Sequence, residues 1–223
     1  MIHLLTGAGS GIGNVLAARL LERGDDLVLL ARSAERAHDL RQDLPGAEVL
    51  VADLSWPESV DALDLPERLD SVVHAAGVVD LGTVGELSVD AWASQLRVNL
   101  VAPAALTRVA LPALRRARGT VVFVNSGAGL TAHPQWSAYA ASKHGLRALA
   151  DALRAEEAAA GVRVTSVFPG RTATPMQARV HQQEGKDYDP DRWIRPETVV
   201  DAILHVLDLP EDATIPDVVI RPA

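Results

Sequence analysis

Seven short apolar runs alternate with stretches of helical periodicity, and this alternation limits the fold more than any single motif. The runs are Met1–Leu5, Asp26–Ala31, Ala47–Ala52, Ser71–Ala76, Thr120–Asn125, Val162–Phe168 and Asp217–Ile220. They are continuously apolar, which is how strands buried on both faces read, whereas half-exposed strands alternate. Strand and helix in strict turn call for a parallel sheet with helices on both faces. The 223 residues fit one such domain spanning 1–223, and no linker, repeat or low-complexity tract divides it. Aromatic residues make up only 4% of a chain that is 48% hydrophobic, so the core must be built from Ala, Val and Leu. Open sheets of this kind bind ligands at the carboxyl ends of their strands. Thr6, Asp53, Ala76, Ser126 and Pro169 all fall at such ends, which predicts one crevice assembled from the whole chain.

The first run stops in Thr6-Gly7-Ala8-Gly9-Ser10-Gly11-Ile12-Gly13, and a helical pattern with Val15, Leu16, Leu20 and Leu21 on one side follows, up to Gly24 as a C-cap. Strand, glycine turn and helix together aim backbone N–H groups and a helix N-terminus at a pyrophosphate. The expected architecture is therefore a Rossmann-type, doubly wound α/β fold of about seven strands. Glycines at 7, 11 and 13 give G-x-x-x-G-x-G, not the commoner dinucleotide spacing. After the second run comes Arg32, where a dinucleotide fold meets the adenosine ribose. An arginine there pairs with a 2′-phosphate, whereas a carboxylate would repel it, so NADP(H) is favoured over NAD(H), with Arg36 one turn further on to assist. Asp53 ends the third run, either as an acceptor for an adenine amino group or as the N-cap of a helix near Pro57. Ala75, Ala76 and Gly77 close the fourth with side chains small enough for a flat ligand to lie on the backbone.

Tyr139 and Lys143 are one helical turn apart in an Ala-rich segment. An ammonium beside a phenol favours the phenolate and lowers its pKa toward the range useful for general acid–base chemistry. A helix is predicted over Val89–Arg116, kinked by Pro103, whose missing N–H frees the carbonyl of Asn99 to hold a water. The polar connection at about 171–195 is long for a compact domain and reads as a substrate-binding or lid loop. There is no cysteine, no metal-ligand cluster, no signal peptide and no membrane-length apolar run, which is consistent with a cytoplasmic protein. The net charge of −8 speaks against general nucleic-acid affinity.

Thr6–Gly13 (TGxxxGxG), Asn99, Ser126, Tyr139-x-x-x-Lys143 and Pro169-Gly170, in this order and spacing, resemble the short-chain dehydrogenase/reductase family over nearly the full length. The resemblance implies a reductase or dehydrogenase for a ketone, aldehyde or secondary alcohol. Tyr139 would be the general acid or base and Ser126 would hold and polarise the substrate oxygen. Lys143 would lower the Tyr139 pKa and hold the nicotinamide ribose, and Asn99 would keep a water in a proton relay. Thr6, Gly7, Ser10, Gly11, Ile12 and Gly13 would form the cofactor turn. Asp53 and Leu54 would frame the adenine, and Ala75, Ala76 and Gly77 would line its path. Thr172 and Thr174, after Pro169-Gly170, would contact the carboxamide and phosphates. A homodimer or homotetramer is the family's usual state.

Three departures from the family pattern stand out. His74-Ala75-Ala76-Gly77 replaces Asn-Asn-Ala-Gly, with His74 more suited to a structural than a ligand role. Ser10, not a basic residue, precedes the second motif glycine. The chain stops at Ala223 without the usual glycine-rich tail, so neither the closing of the substrate pocket nor the family's common tetramer contacts follow from the resemblance. Relatives that act as epimerases or dehydratases usually carry a longer C-terminal substrate region, and non-catalytic dinucleotide sensors tend to lose the tyrosine. A hydrolase built on Ser126 and His133 is set aside because Ser126 lacks the G-x-S-x-G elbow. The pocket is expected to be lined by Gly127–Ser137 and Arg171–Trp193, with His133, Trp136, Met176 and Trp193 suiting an apolar substrate with some polar contact.

Overall fold

Every apolar run becomes a strand in the computed structural model, which describes all residues from Met1 to Ala223. The order is β1 (Ile2–Thr6), α1 (Gly11–Glu22), β2 (Asp26–Ala31), α2 (Ala34–Asp43), β3 (Glu48–Val51), β4 (Ser71–His74), α3 (Val89–Leu96), α4 (Ala102–Ala117), β5 (Thr120–Val124), α5 (Ser137–Glu157), β6 (Arg163–Pro169), α6 (Pro175–Gln183), α7 (Pro196–Leu207) and β7 (Asp217–Ile220). All seven strands are parallel, in the order β3-β2-β1-β4-β5-β6-β7. The winding reverses between β1 and β4, and that is the switch point where such sheets open a crevice.

The two-residue period of the strands divides the core between the two faces. Leu5, Leu29, Val73, Val122 and Val167 point to the side covered by α1, α2 and α7. Their neighbours Leu4, Val28, Val72, Phe123 and Val164 point to the side covered by α4 and α5. The aromatic deficit noted in the sequence holds here: Phe123 and Phe168 are the only fully buried large aromatic side chains. No helix is long and apolar enough to cross a membrane.

Two sequence expectations need correction. The helix predicted over Val89–Arg116 is present without a break, but it is not α-helical throughout. α3 and α4 are joined by a π-helical turn, Arg97–Val101, in which the Ala102 N–H bonds to the Arg97 carbonyl. Pro103 has no N–H to give Asn99, and the wider turn absorbs the lost bond. The stretch 171–195 is not an open loop. Thr174 caps α6 by accepting from the Gln177 N–H, and Thr172 pairs with Ile194, so both ends of the excursion are fastened together. The N–H of Ala173 bonds to the Ile194 carbonyl at 2.8 Å and that of Ile194 to the Arg171 carbonyl at 3.1 Å.

The glycine turn is fixed by close backbone approach. A Cβ on Gly13 would stand 2.3 Å from the Gly7 carbonyl oxygen, and one on Gly7 would stand 2.7 Å from the backbone of Ala75. Neither obstacle is a flexible side chain, so α1 can start this close to β1 and β4 only with glycine at both places. Gly13→Ala is therefore expected to lower stability by about 1–3 kcal/mol, the usual range for overpacking. Gly85→Ala, where a Cβ would meet nothing within 4 Å, should stay within about 0.5 kcal/mol of the parent. Urea unfolding of both variants checks the pair.

Candidate active site

A cavity of about 980 Å³ opens at the carboxyl edge of the sheet. Its floor is the glycine turn (Gly7, Ser10, Gly11, Ile12, Gly13) and the β4 rim (Ala75, Ala76, Gly77). Ser126, Tyr139 and Lys143 form one wall, and Pro169, Gly170, Thr172 and Thr174 with α6 form the other. Chain segments more than a hundred residues apart thus meet in one place.

Two predicted residues stand behind this lining. Thr6 is buried, and its hydroxyl accepts from the N–H groups of Ala75 and Ala76 at 3.2 and 3.1 Å, tying the end of β1 to that of β4. Asn99 is fully buried. Its amide accepts from the Val78 N–H at 2.8 Å, donates to the Val78 carbonyl at 2.9 Å, and donates to the Ser142 hydroxyl at 3.0 Å. Ser142 in turn donates to the Tyr139 carbonyl at 2.7 Å. The Asn99 side chain therefore joins the β4 rim to the helix that carries Tyr139.

Three predicted residues lie outside the cavity wall. Arg32 is exposed just past β2, and Asp53 and Leu54 follow β3, on the flank beyond the glycine turn. Asp53 is not a helix N-cap. The 3₁₀ turn Pro57–Ala62 starts after Trp56, and the Asp53 carboxylate accepts from the N–H and hydroxyl of Ser55 at 2.9 and 2.8 Å. Arg36 comes closer than Arg32: its guanidinium lies 3.1 Å from where a Cβ on Gly9 would be, while it pairs with Asp39 at 2.7 Å.

Tyr139 is 6% exposed and Lys143 3%, and burial governs both. It pushes the Tyr139 phenol above its ordinary pKa, partly offset by the neighbouring Ser126 hydroxyl. The expectation that Lys143 lowers the Tyr139 pKa is corrected. The ammonium lies 5.9 Å from the ring centroid, donates to the Val124 carbonyl at 3.0 Å, and is itself pushed down to about 8 by burial. The phenol is thus protonated at neutral pH and able to donate. Ser126, half-buried, accepts from the Ala128 N–H at 3.1 Å, which fixes its hydroxyl beside that of Tyr139.

Sequence reasoning missed several supports. Asn125, buried beside Ser126, accepts from the Ser126 N–H at 2.9 Å and donates to the Lys143 carbonyl at 3.1 Å. Its place just before a strand-end serine was the available signal. Arg171 makes a two-point bond to Glu184 at 2.6 and 3.0 Å and lies between the rings of Trp136 and Trp193. That hydrogen-bonded pair holds the Glu184 carboxyl below its ordinary pKa. Nothing in the spacing of 171 and 184 announces it. His133, Trp136 and Met176 line the cavity as expected, whereas Trp193 sits behind Arg171. His74 is structural: buried, hydrogen-bonded to Thr107 at 2.9 Å, stacked on Phe123, and with its pKa held to about 3 by burial. At the C-terminal side Arg221 lies against Gly127 and Pro222 against Gly170, so the end of the chain reaches the cavity wall.

The residues fit a dinucleotide. α2, α3 and α6 are capped by Ser33, Ser88 and Thr174, but the N-terminus of α1 has no side-chain cap and no acidic residue in its first turn. Its free N–H groups face the cavity over a floor of glycines, as an anionic pyrophosphate needs.

A family model described as short chain dehydrogenase matches residues 1–185. An uncharacterised oxidoreductase of Staphylococcus aureus is 30% identical over 231 residues, covering 99% of this chain and 96% of its own. Among solved structures, an alcohol dehydrogenase from the archaeon Thermococcus sibiricus, complexed with 5-hydroxy-NADP, superposes with a TM-score of 0.85 at 26% identity, covering 100% of this chain and 96% of its own. A 4-hydroxyisoleucine dehydrogenase complexed with NADH gives a TM-score of 0.85 at 28% identity, covering 100% and 97%.

The buried ammonium has a measurable consequence. Below pH 8 the folded and unfolded states both hold the Lys143 proton, and the folded state bears the cost of a buried charge. From about 8 towards the ordinary value of 10.5 the folded state releases the proton first, so the unfolded state binds more protons and stability rises with pH. Tyr139 acts with the opposite sign, but only from the ordinary phenol value of 10.0 upward. Urea unfolding should show a gain on the order of 2 kcal/mol between roughly pH 7.5 and 9.5. Lys143→Met should flatten that slope.

Proposed function

We propose that this chain, which belongs to the short chain dehydrogenase family, reduces a ketone or aldehyde with NADPH, or runs the reverse oxidation of a secondary alcohol. The observation that carries the proposal is that Ser126 and Tyr139, with Lys143 one turn along, line the same cavity as a glycine turn and an uncapped helix N-terminus. The nicotinamide, when bound, supplies or accepts the hydride.

The chain supplies the rest. Ser126 holds the substrate oxygen, and Tyr139 gives it the proton that converts an alkoxide into an alcohol. Burial, which keeps the phenol protonated, also excludes the water that would otherwise compete for that oxygen. Lys143, which donates to the Val124 carbonyl, is the residue that would hold a ribose hydroxyl of the cofactor. Asn99 holds the β4 rim and the Tyr139 helix at a constant separation, which keeps the bound rings and the proton donor in register.

The preference for NADP(H) is proposed on this chain's own residues, since its solved relatives carry both cofactor types. No carboxylate stands at the end of β2. Arg32 is exposed there, and the Arg36 guanidinium reaches over Gly9 beside it.

Tyr139→Phe is expected to reduce turnover by at least about 100-fold, the lower range of general acid catalysis. NADPH affinity, measured by fluorescence titration, should stay close to the parent, and full activity in this variant would overturn the assignment. Arg32→Asp is expected to weaken NADPH binding by at least tenfold more than NADH binding. An unchanged preference in the same titration would remove Arg32 from the cofactor site.

A further inference from the structure

We infer that the substrate carries a carboxylate and that Arg221, just beyond β7, is the residue that anchors it; the inference rests on the oxidoreductase reading above. Four cationic side chains line the cavity, namely Lys143, Arg171, Lys186 and Arg221, against the single carboxylate of Glu184. That excess is unusual in a chain of net charge −8. Lys143 is bonded to the Val124 carbonyl, and Arg171 and Lys186 share Glu184. Arg221 alone has neither a carboxylate nor a carbonyl partner within the chain. Its exposed side chain lies at the wall, with Nη1 2.5 Å from where a Cβ on Gly127 would stand. Gly127 thus leaves room for the guanidinium next to Ser126.

The cofactor's phosphates do not account for this charge. The glycine turn follows β1, and Arg221 follows β7, four strand spacings away in the sheet order. At about 4.8 Å per spacing the two stand roughly 19 Å apart, on opposite flanks of the cavity. The Arg221 guanidinium instead lies against Gly127, which is one peptide unit, a Cα separation of about 3.8 Å, along from Ser126, the residue that holds the reacting oxygen. An anionic group bonded to Arg221 is then only a few bonds from the reacting carbon. The planar guanidinium offers paired N–H donors that match a carboxylate. The favoured substrate is a short oxo acid, reduced to the hydroxy acid. The hydride adds to the carbonyl carbon, the Tyr139 proton goes to the carbonyl oxygen, and the carboxylate is unchanged.

The test pairs 2-, 3- and 4-oxo acids with their methyl esters and follows NADPH consumption. At least one acid should exceed its ester in kcat/KM by about 10- to 100-fold, the effect of removing one partner of a charged hydrogen-bonded pair. Arg221→Gln should bring that ratio near one, and Arg221→Lys should restore part of it. Ester reduction with no acid preference, or a preference that survives Arg221→Gln, overturns the anchor and leaves the oxidoreductase reading standing. If no compound is reduced, that reading fails on its own. Calorimetric titration of the NADP⁺ complex with the same acids then decides the anchor separately. Acid binding lost in Arg221→Gln supports it, and binding that is absent or unaltered overturns it.

Discussion

The side chain of Asn99 is the contact on which the geometry of the site depends. One amide accepts from and donates to the backbone of Val78, just past β4, and also donates to Ser142 below Tyr139. The wall against which a cofactor would lie and the helix that presents the phenol are therefore parts of one hydrogen-bonded unit. The π turn at Arg97–Val101 turns Asn99 inward, and Pro103, without an N–H, makes that turn inexpensive in hydrogen bonds. Burial makes the arrangement rigid, because each of these polar groups would lose a partner that water cannot replace.

Burial also sets the electrostatics. The expected interaction was a charge on Lys143 drawing the Tyr139 phenol down. The structure has two enclosed groups, each displaced toward its neutral form. A neutral phenol beside a serine hydroxyl suits the reductive direction, in which a proton is given to oxygen. Glu184 shows the opposite case: it is less enclosed, and two hydrogen bonds from Arg171 keep it ionised. Two things separate the outcomes: the shallower burial of Glu184, and hydrogen bonding to the charged form, which Glu184 receives from a guanidinium and Lys143 receives only from a carbonyl.

The flank of the site that faces away from the glycine turn is formed by α6, the Arg171–Glu184 pair and the end of the chain. Thr172 and Ile194 close the base of this excursion, and Thr174 starts its helix while lying 3.1 Å from the position of a Gly11 Cβ. Thr174 thus touches the cofactor turn and caps the substrate-side helix at once. A shift of α6 would be felt on both sides of the cavity.

The amino-acid sequence by itself determined the alternation of buried strands and helices, the glycine turn, and the set of residues at the carboxyl ends of the strands. These follow from local periodicity, from glycines packed against backbone, and from the rule that such ends converge. It also placed Tyr139 and Lys143 on one helix face, which needs nothing beyond the helical repeat. Tertiary structure alone decided the clamp made by the Asn99 side chain, the pairing of Arg171 with Glu184, the reach of Arg221 over Gly127, and the burial of Tyr139 and Lys143. Each depends on which distant groups come within hydrogen-bonding distance and how much water they exclude, and neither quantity is a function of local sequence.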